Sequence, residues 1–170
     1  CVLSHKKMCQ YLHMCVFFAT FAENRCTMIE VIQLKGTESR LYKHVAPLIM
    51  DPKVIHYNQG YPFKTSPNYI WFLAFSSPRK ISGFFPVEHR GGQWIINNYY
   101  VAPTGKEQET FQALLEAVKT FAADQQEVTA IVQTPHKDYF TAYAFKPVKE
   151  WKAYLKMRLN EQTEHQEECI

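Results

Sequence analysis

Between Gln93 and Ala122 the sequence QWIINNYYVAPTGKEQETFQALLEAVKTFA sets a strand, a short turn and an amphipathic helix in direct succession. Such a unit buries its apolar surface by packing the helix back onto a sheet, which commits the chain to a layered α and β architecture. The first part is rich in β-formers (Trp94, Ile95, Ile96, Tyr99, Tyr100, Val101), and Pro103 ends it. In the second part Phe111, Leu114, Leu115, Val118, Phe121 and Ala122 recur on one face of a 3.6-residue period. Thr104 and Glu107 have the spacing of a capping box, so the helix is expected to begin beside them. The turn would aim free backbone N–H groups and the positive end of the helix dipole out of the strand's C-terminal edge, which suits a phosphate.

Val101, Pro103, Lys106, Leu114 and Leu115 stand in the register V-x-P-x-x-[RQ]-x-x-G-x-[GA]-x-x-L-[LI]. In this the segment resembles the pyrophosphate-binding segment of the GNAT family of N-acetyltransferases. Both glycine positions differ, being Glu109 and Phe111. Ile81-Ser82-Gly83-Phe84 is similar to the family's hydrophobic-x-Gly-Phe on the third strand, and Ala144-Phe145 stands where Gly-Phe is frequent.

The rest of the chain reads in the same order. Ile29 to Leu34 is a strand, and Leu41, Val45, Leu48 and Ile49 mark a helix. Asp51 as N-cap and Pro52 at the first helical position start a second, short helix that ends at Gly60. Tyr69–Phe75 and Lys80–Glu88 are strands, and Gly91-Gly92 turns the second of them onto the central strand. Val128–Gln133 is a buried strand, Pro135–Ala144 a helix, and Phe145–Val148 with Trp151–Leu159 a last hairpin. The order β-α-α-β-β-β-α-β-α-β-β predicts an α/β (α+β) fold of acyl-CoA N-acyltransferase type. Its sheet would be mixed, mostly antiparallel, and flanked by helices.

The resemblance implies chemistry as well as fold. It covers residues 28–159 and implies acetyl-CoA as co-substrate, with an amine on a small molecule or peptide as acceptor. The cofactor's pantetheine arm would lie between Asn98–Val101 (Tyr99 and Tyr100 included) and Thr129–Gln133, and its diphosphate on the amides of Lys106, Glu107, Gln108, Glu109, Thr110 and Phe111. Gln133 stands where an Asn often ends the fifth strand. The family's catalytic Glu position on the central strand is filled by Asn97 and Asn98, which cannot act as bases; Glu88 and His89 are the nearest titratable groups. The general-acid Tyr position is Phe140, flanked by Tyr139 and Tyr143. Tyr57, Tyr61, Phe63 and Lys64 would line the acceptor side. His136 reads as a surface or capping residue. Two functions stay open: an N-acetyltransferase, or a catalytically silent binding module with a degenerate cofactor loop.

Composition narrows the setting. Across 170 residues, 46% are hydrophobic and 21% charged, and the net charge of +3 is spread without a basic stripe. Nucleic acid is not expected as a partner. Residues 1–27 hold four of the five cysteines without a C-x-x-C pair and read as a non-native or poorly ordered leader, with Met28 as the domain's start; no metal site is expected. The apolar run Met14–Ala22 is far short of the roughly 18 residues that span a bilayer, so a cytoplasmic protein without a membrane anchor is expected. Residues 160–170 read as an acidic tail. Trp151, Tyr154 and Leu155 would lie in a hairpin edge or the core, leaving monomer and homodimer both open.

Overall fold

The computed structural model describes residues 29–123 and 127–160. The leader expected over 1–27 and nearly all of the acidic tail lie outside them. Eight strands form a single sheet: β1 (Glu30–Lys35), β2 (Tyr69–Ser77), β3 (Lys80–Arg90), β4 (Gln93–Ile96), β5 (Tyr100–Val101), β6 (Val128–Gln133), β7 (Phe145–Glu150) and β8 (Tyr154–Leu159). They lie in the order β1-β2-β3-β4-β6-β8-β7, with β5 continuing along β3. Every pairing among the described strands is antiparallel except β4 with β6. The expected mixed, mostly antiparallel sheet is thus present.

Helices cover both faces. α1 (Ser39–Ile49) and α2 (Pro52–Tyr57) lie over a core of Leu41, Val45, Val54, Trp71, Leu73, Phe84 and Tyr100. α3 (Glu107–Ala122) and α4 (Lys137–Thr141) lie over a core that includes Phe72, Phe85, Ile96, Tyr99, Phe111, Leu114, Val132 and Phe140. Because β2 is covered on both sides, Trp71 to Phe75 are all buried in succession, and the strand shows no polar alternation. α2 begins as expected, with the Asp51 carboxylate accepting the Lys53 N–H at 2.8 Å.

α3 buries the face read from its periodicity: Phe111, Leu114, Leu115, Val118 and Ala122, together with Thr110. Each large apolar side chain removed from water there contributes about 1.5–3 kcal/mol. Its start differs from expectation. The helix begins at Glu107, its N-cap is Lys106, and no side chain caps it. Glu107 instead accepts the N–H of Gly105 at 3.2 Å, while Thr104 turns back through its N–H to the Ala102 carbonyl. Gly105 at φ +79° lets the chain turn here, so the capping box does not form. The helix expected over 135–144 is likewise shorter, a 3₁₀ turn at Thr134–His136 followed by α4.

Gly83 on β3 shows what the Gly-Phe pair is for. A Cβ there would lie 2.8 Å from the Tyr100 carbonyl oxygen and 2.9 Å from Thr110 Cγ2. Only glycine lets β5 and the first turn of α3 close onto β3 together.

Candidate active site

The central strand is broken where a continuous one was expected. β4 pairs in parallel with β6 through Trp94↔Val128, Ile95↔Thr129 and Ile96↔Ala130, and the ladder stops there. Asn98 then takes φ +53°, its side-chain amide directed at the Pro62 carbonyl at 3.5 Å. This bulge shifts the alternation by one residue. Trp94 and Ile96 face α3, and after the bulge Tyr99 and Val101 do so, while Tyr100 turns to the α1–α2 face. β5 pairs with β3 alone. A gap therefore separates 97–101 from 131–133. It opens later than expected, since Thr129 and Ala130 are still paired.

On the α3–α4 side this gap is filled by aromatic side chains. Tyr99 is 1% exposed. Its hydroxyl accepts the Gln133 backbone N–H at 3.1 Å and lies 2.8 Å from His136 Nδ1. Burial lowers the pKa of His136 and raises that of Tyr99 well above the ordinary tyrosine value. Both shifts favour the neutral imidazole and the neutral phenol. His136 is half-buried and occupies the N-cap position of α4, as the expected capping role required, but its side chain makes no cap bond and turns to Tyr99 instead. Tyr57 lies over the His136 ring with centroids 5.7 Å apart, meets Tyr100 edge-on at 5.0 Å, and receives the Gln133 side-chain amide on its carbonyl at 3.0 Å. Its own hydroxyl is buried against the Val101 backbone, and burial raises its pKa, the Val101 backbone opposing the shift.

Phe111, at the second of the two glycine positions, enters the same cluster. Its ring stacks on Tyr139 at 4.5 Å and 10° and lies 5.1 Å from His136 and 5.8 Å from Tyr99. Phe140 is wholly buried against Phe85 and Phe145. Tyr143 points along α3, its hydroxyl donating to Glu116 at 3.4 Å, away from the gap. Of the expected loop residues, Lys106, Gln108 and Glu109 are exposed, Thr110 is buried with its hydroxyl on the Lys106 carbonyl at 2.9 Å, and Glu107 holds Gly105.

On the opposite face the gap opens into a cleft. One cavity of about 470 Å³ is bounded by Tyr61, Pro62, Ile131, Trp151 and Tyr154. It adjoins a smaller one of about 130 Å³ bounded by Tyr69, Glu88 and Arg90, and both share Lys64, Asn97 and Asn98. Glu88 and Arg90 are 3.9 Å apart, and burial, followed by the Glu88 carboxylate that its hydroxyl bonds, raises the Tyr69 pKa. Glu88, Asn97 and Asn98 are thus brought together, and Tyr139 and Tyr143 lie elsewhere. His89 packs at a tilt against Trp94, ring centroids 4.6 Å apart. Trp151 and Tyr154 are cleft residues, which their strand register did not reveal; Leu155 is core, and β7, not β8, is the sheet's edge.

The sequence matches no family model and no curated protein. Solved structures do match. ElaA of Escherichia coli superposes with a TM-score of 0.59 at 15% identity, over 78% of this chain and 100% of its own. An acyl-CoA N-acyltransferase from Pseudomonas aeruginosa gives 0.57 at 14% identity, over 78% and 99%. The PaiA N-acetyltransferase of Thermoplasma acidophilum, solved in complex with coenzyme A, gives 0.50 at 12%, over 76% and 97%. The chain has the acyl-CoA N-acyltransferase fold, as its strand–turn–helix segment implied. At these identities the likeness is one of fold.

Judged against coenzyme A, the residues do not fit the group as they stand. The route from the amides at the start of α3 to the strand gap is filled by Phe111, Tyr139, His136 and Tyr99, and Glu107 and Glu109 bring carboxylates to its mouth.

Proposed function

We propose that this chain is an N-acyltransferase that moves an acetyl group from acetyl-CoA to an amine, and that its cofactor slot stands closed by its own aromatic side chains in the conformation described. The observation that carries the reading is the bulge at Asn98. It ends the β4–β6 ladder after Ile96 and opens the sheet onto a cleft that holds a carboxylate, Glu88. Glu88 is the group there that can take a proton from an acceptor ammonium. The Asn97 and Asn98 amides beside it can orient the amine.

A second reading, a binding module that never takes the cofactor, is favoured by one observation: Phe111 replaces the glycine and is packed to 1% exposure. Thermal unfolding with and without excess acetyl-CoA, with CoA and ATP as controls, separates the two. A ligand at a hundred times its dissociation constant stabilises by about 2.7 kcal/mol. A shift given by acetyl-CoA and CoA but not by ATP supports the enzyme. No shift at millimolar acetyl-CoA rules it out and leaves the binding module.

A further inference from the structure

The cleft on the α1–α2 face has two chemically distinct ends that meet at the bulge. At its wide end Tyr61 and Trp151 are 58% and 43% exposed, and they are two of the five large hydrophobic side chains left exposed among the described residues. Both border the same cavity, with Ile131 at its floor. Large aromatic side chains at a concavity, instead of folded into the core beside them, are what a flat apolar ligand needs; the Lys149 ammonium lies over the Trp151 ring at 5.3 Å, which leaves the other ring face for a ligand. The cavity's 470 Å³ falls within the range of about 300–1,000 Å³ usual for small-molecule sites.

The narrow end is charged. Lys64, Arg90 and Glu88 border it, two cations to one anion. The Glu88–Arg90 separation of 3.9 Å is too long for a hydrogen bond, so Arg90, and Glu88 beyond the bond it accepts from Tyr69, retain capacity for a ligand. Lys64 is exposed and in no ion pair among the described residues. A ligand that complements this end brings one carboxylate for Lys64 and Arg90 and one ammonium for Glu88. Both groups must lie within a cavity of only 130 Å³. That favours both groups on one carbon atom, with the apolar body running past Asn97 and Asn98 toward Trp151.

We infer that the cleft binds a free α-amino acid with a large, flat apolar side chain, its carboxylate at Lys64 and Arg90, its ammonium at Glu88 and its ring between Tyr61 and Trp151. Calling this ligand the acyl acceptor rests on the function proposed above; its binding does not.

The test is isothermal titration of the full chain in the absence of any acyl-CoA. L-Tryptophan and L-phenylalanine are expected to bind saturably and glycine not at all. L-Tryptophanamide, which lacks the carboxylate, and indole-3-propionate, which lacks the ammonium, are each expected to bind at least tenfold more weakly than L-tryptophan. Lys64→Ala, at an exposed position, is expected to weaken L-tryptophan without changing L-tryptophanamide, and Trp151→Ala to weaken both. The inference is overturned if neither aromatic amino acid binds at millimolar concentration, if the amide binds as tightly as the acid, or if either variant leaves L-tryptophan affinity unchanged. A failure of the acyltransferase reading appears separately, as absent stabilisation by acetyl-CoA with amino-acid binding intact.

Discussion

Tyr99 and His136, 37 positions apart, meet across the strand gap with the phenolic oxygen 2.8 Å from Nδ1. The same oxygen accepts the Gln133 N–H. A backbone donor that has no strand partner is thereby satisfied by a side chain, and the gap is closed on the α3–α4 side without a ladder.

Tyr99→Phe keeps the ring and removes this oxygen. The Gln133 N–H and the imidazole nitrogen are then left unpaired in a half-buried setting, at a cost of about 1–3 kcal/mol. The urea midpoint should fall with the slope unchanged. A loss below about 0.5 kcal/mol would mean that the hydroxyl contributes no net hydrogen bond.

His136 makes part of the stability pH-dependent. Burial lowers its pKa from the ordinary 6.5, so the folded chain favours the neutral ring and the unfolded chain binds the proton more readily. Its contribution is complete above about pH 6.5 and is lost as the pH falls below that value, because protonation then draws the chain toward the unfolded state. Stability measured from pH 7.5 down to 5.5 should therefore fall more steeply for the native chain than for His136→Asn. Parallel curves would contradict the assignment of a buried neutral ring.

Ala144 has φ +65° and is exposed. A left-handed residue with a Cβ costs about 1–2 kcal/mol, and a glycine's freedom in the unfolded chain returns about 0.4–1 kcal/mol of any relief. Ala144→Gly should raise stability by about 0.5–1 kcal/mol, seen as a rise in melting temperature of about 1–4 °C. A fall would show that the strain is held elsewhere.

Gly83→Ala should do the reverse. Its Cβ meets a backbone carbonyl at 2.8 Å, which cannot yield without moving β5. A loss of about 1–3 kcal/mol is expected and can be read from denaturant unfolding; a neutral substitution would mean that β5 is free to shift.

Much of this was legible locally. The buried face of α3, the Asp51–Pro52 start of α2 and the glycine on β3 each rest on short-range spacing, and the element order follows from them. The bulge was not legible, because Asn97-Asn98 sits among β-formers with no glycine or proline to mark it. Nor was the plug. His136 carries no local sign of burial, and its partners Tyr57, Tyr99 and Phe111 come from three elements that only the tertiary fold assembles. Phe111 was visible as a departure from glycine, but the sequence does not say whether such a ring points at solvent or into the slot. Trp151 and Tyr154 were hidden for the same reason: Tyr154 faces the cleft through β8's place beside β6, and Trp151 through the turn that leads into β8.

The most direct test of the account is calorimetric titration of acetyl-CoA into the native chain, into Phe111→Ala, and into Tyr139→Ala. Phe111→Ala removes a buried ring at a cost of about 3–5 kcal/mol, so circular dichroism must first show it folded. Tyr139→Ala, at a half-buried position, opens the same stack at lower risk. If the slot is a plugged cofactor site, the native chain binds acetyl-CoA and the folded variants bind it at least tenfold more tightly. If the native chain does not bind at millimolar concentration, the acyltransferase reading is wrong; if it binds as tightly as the variants, the aromatic cluster is not a plug.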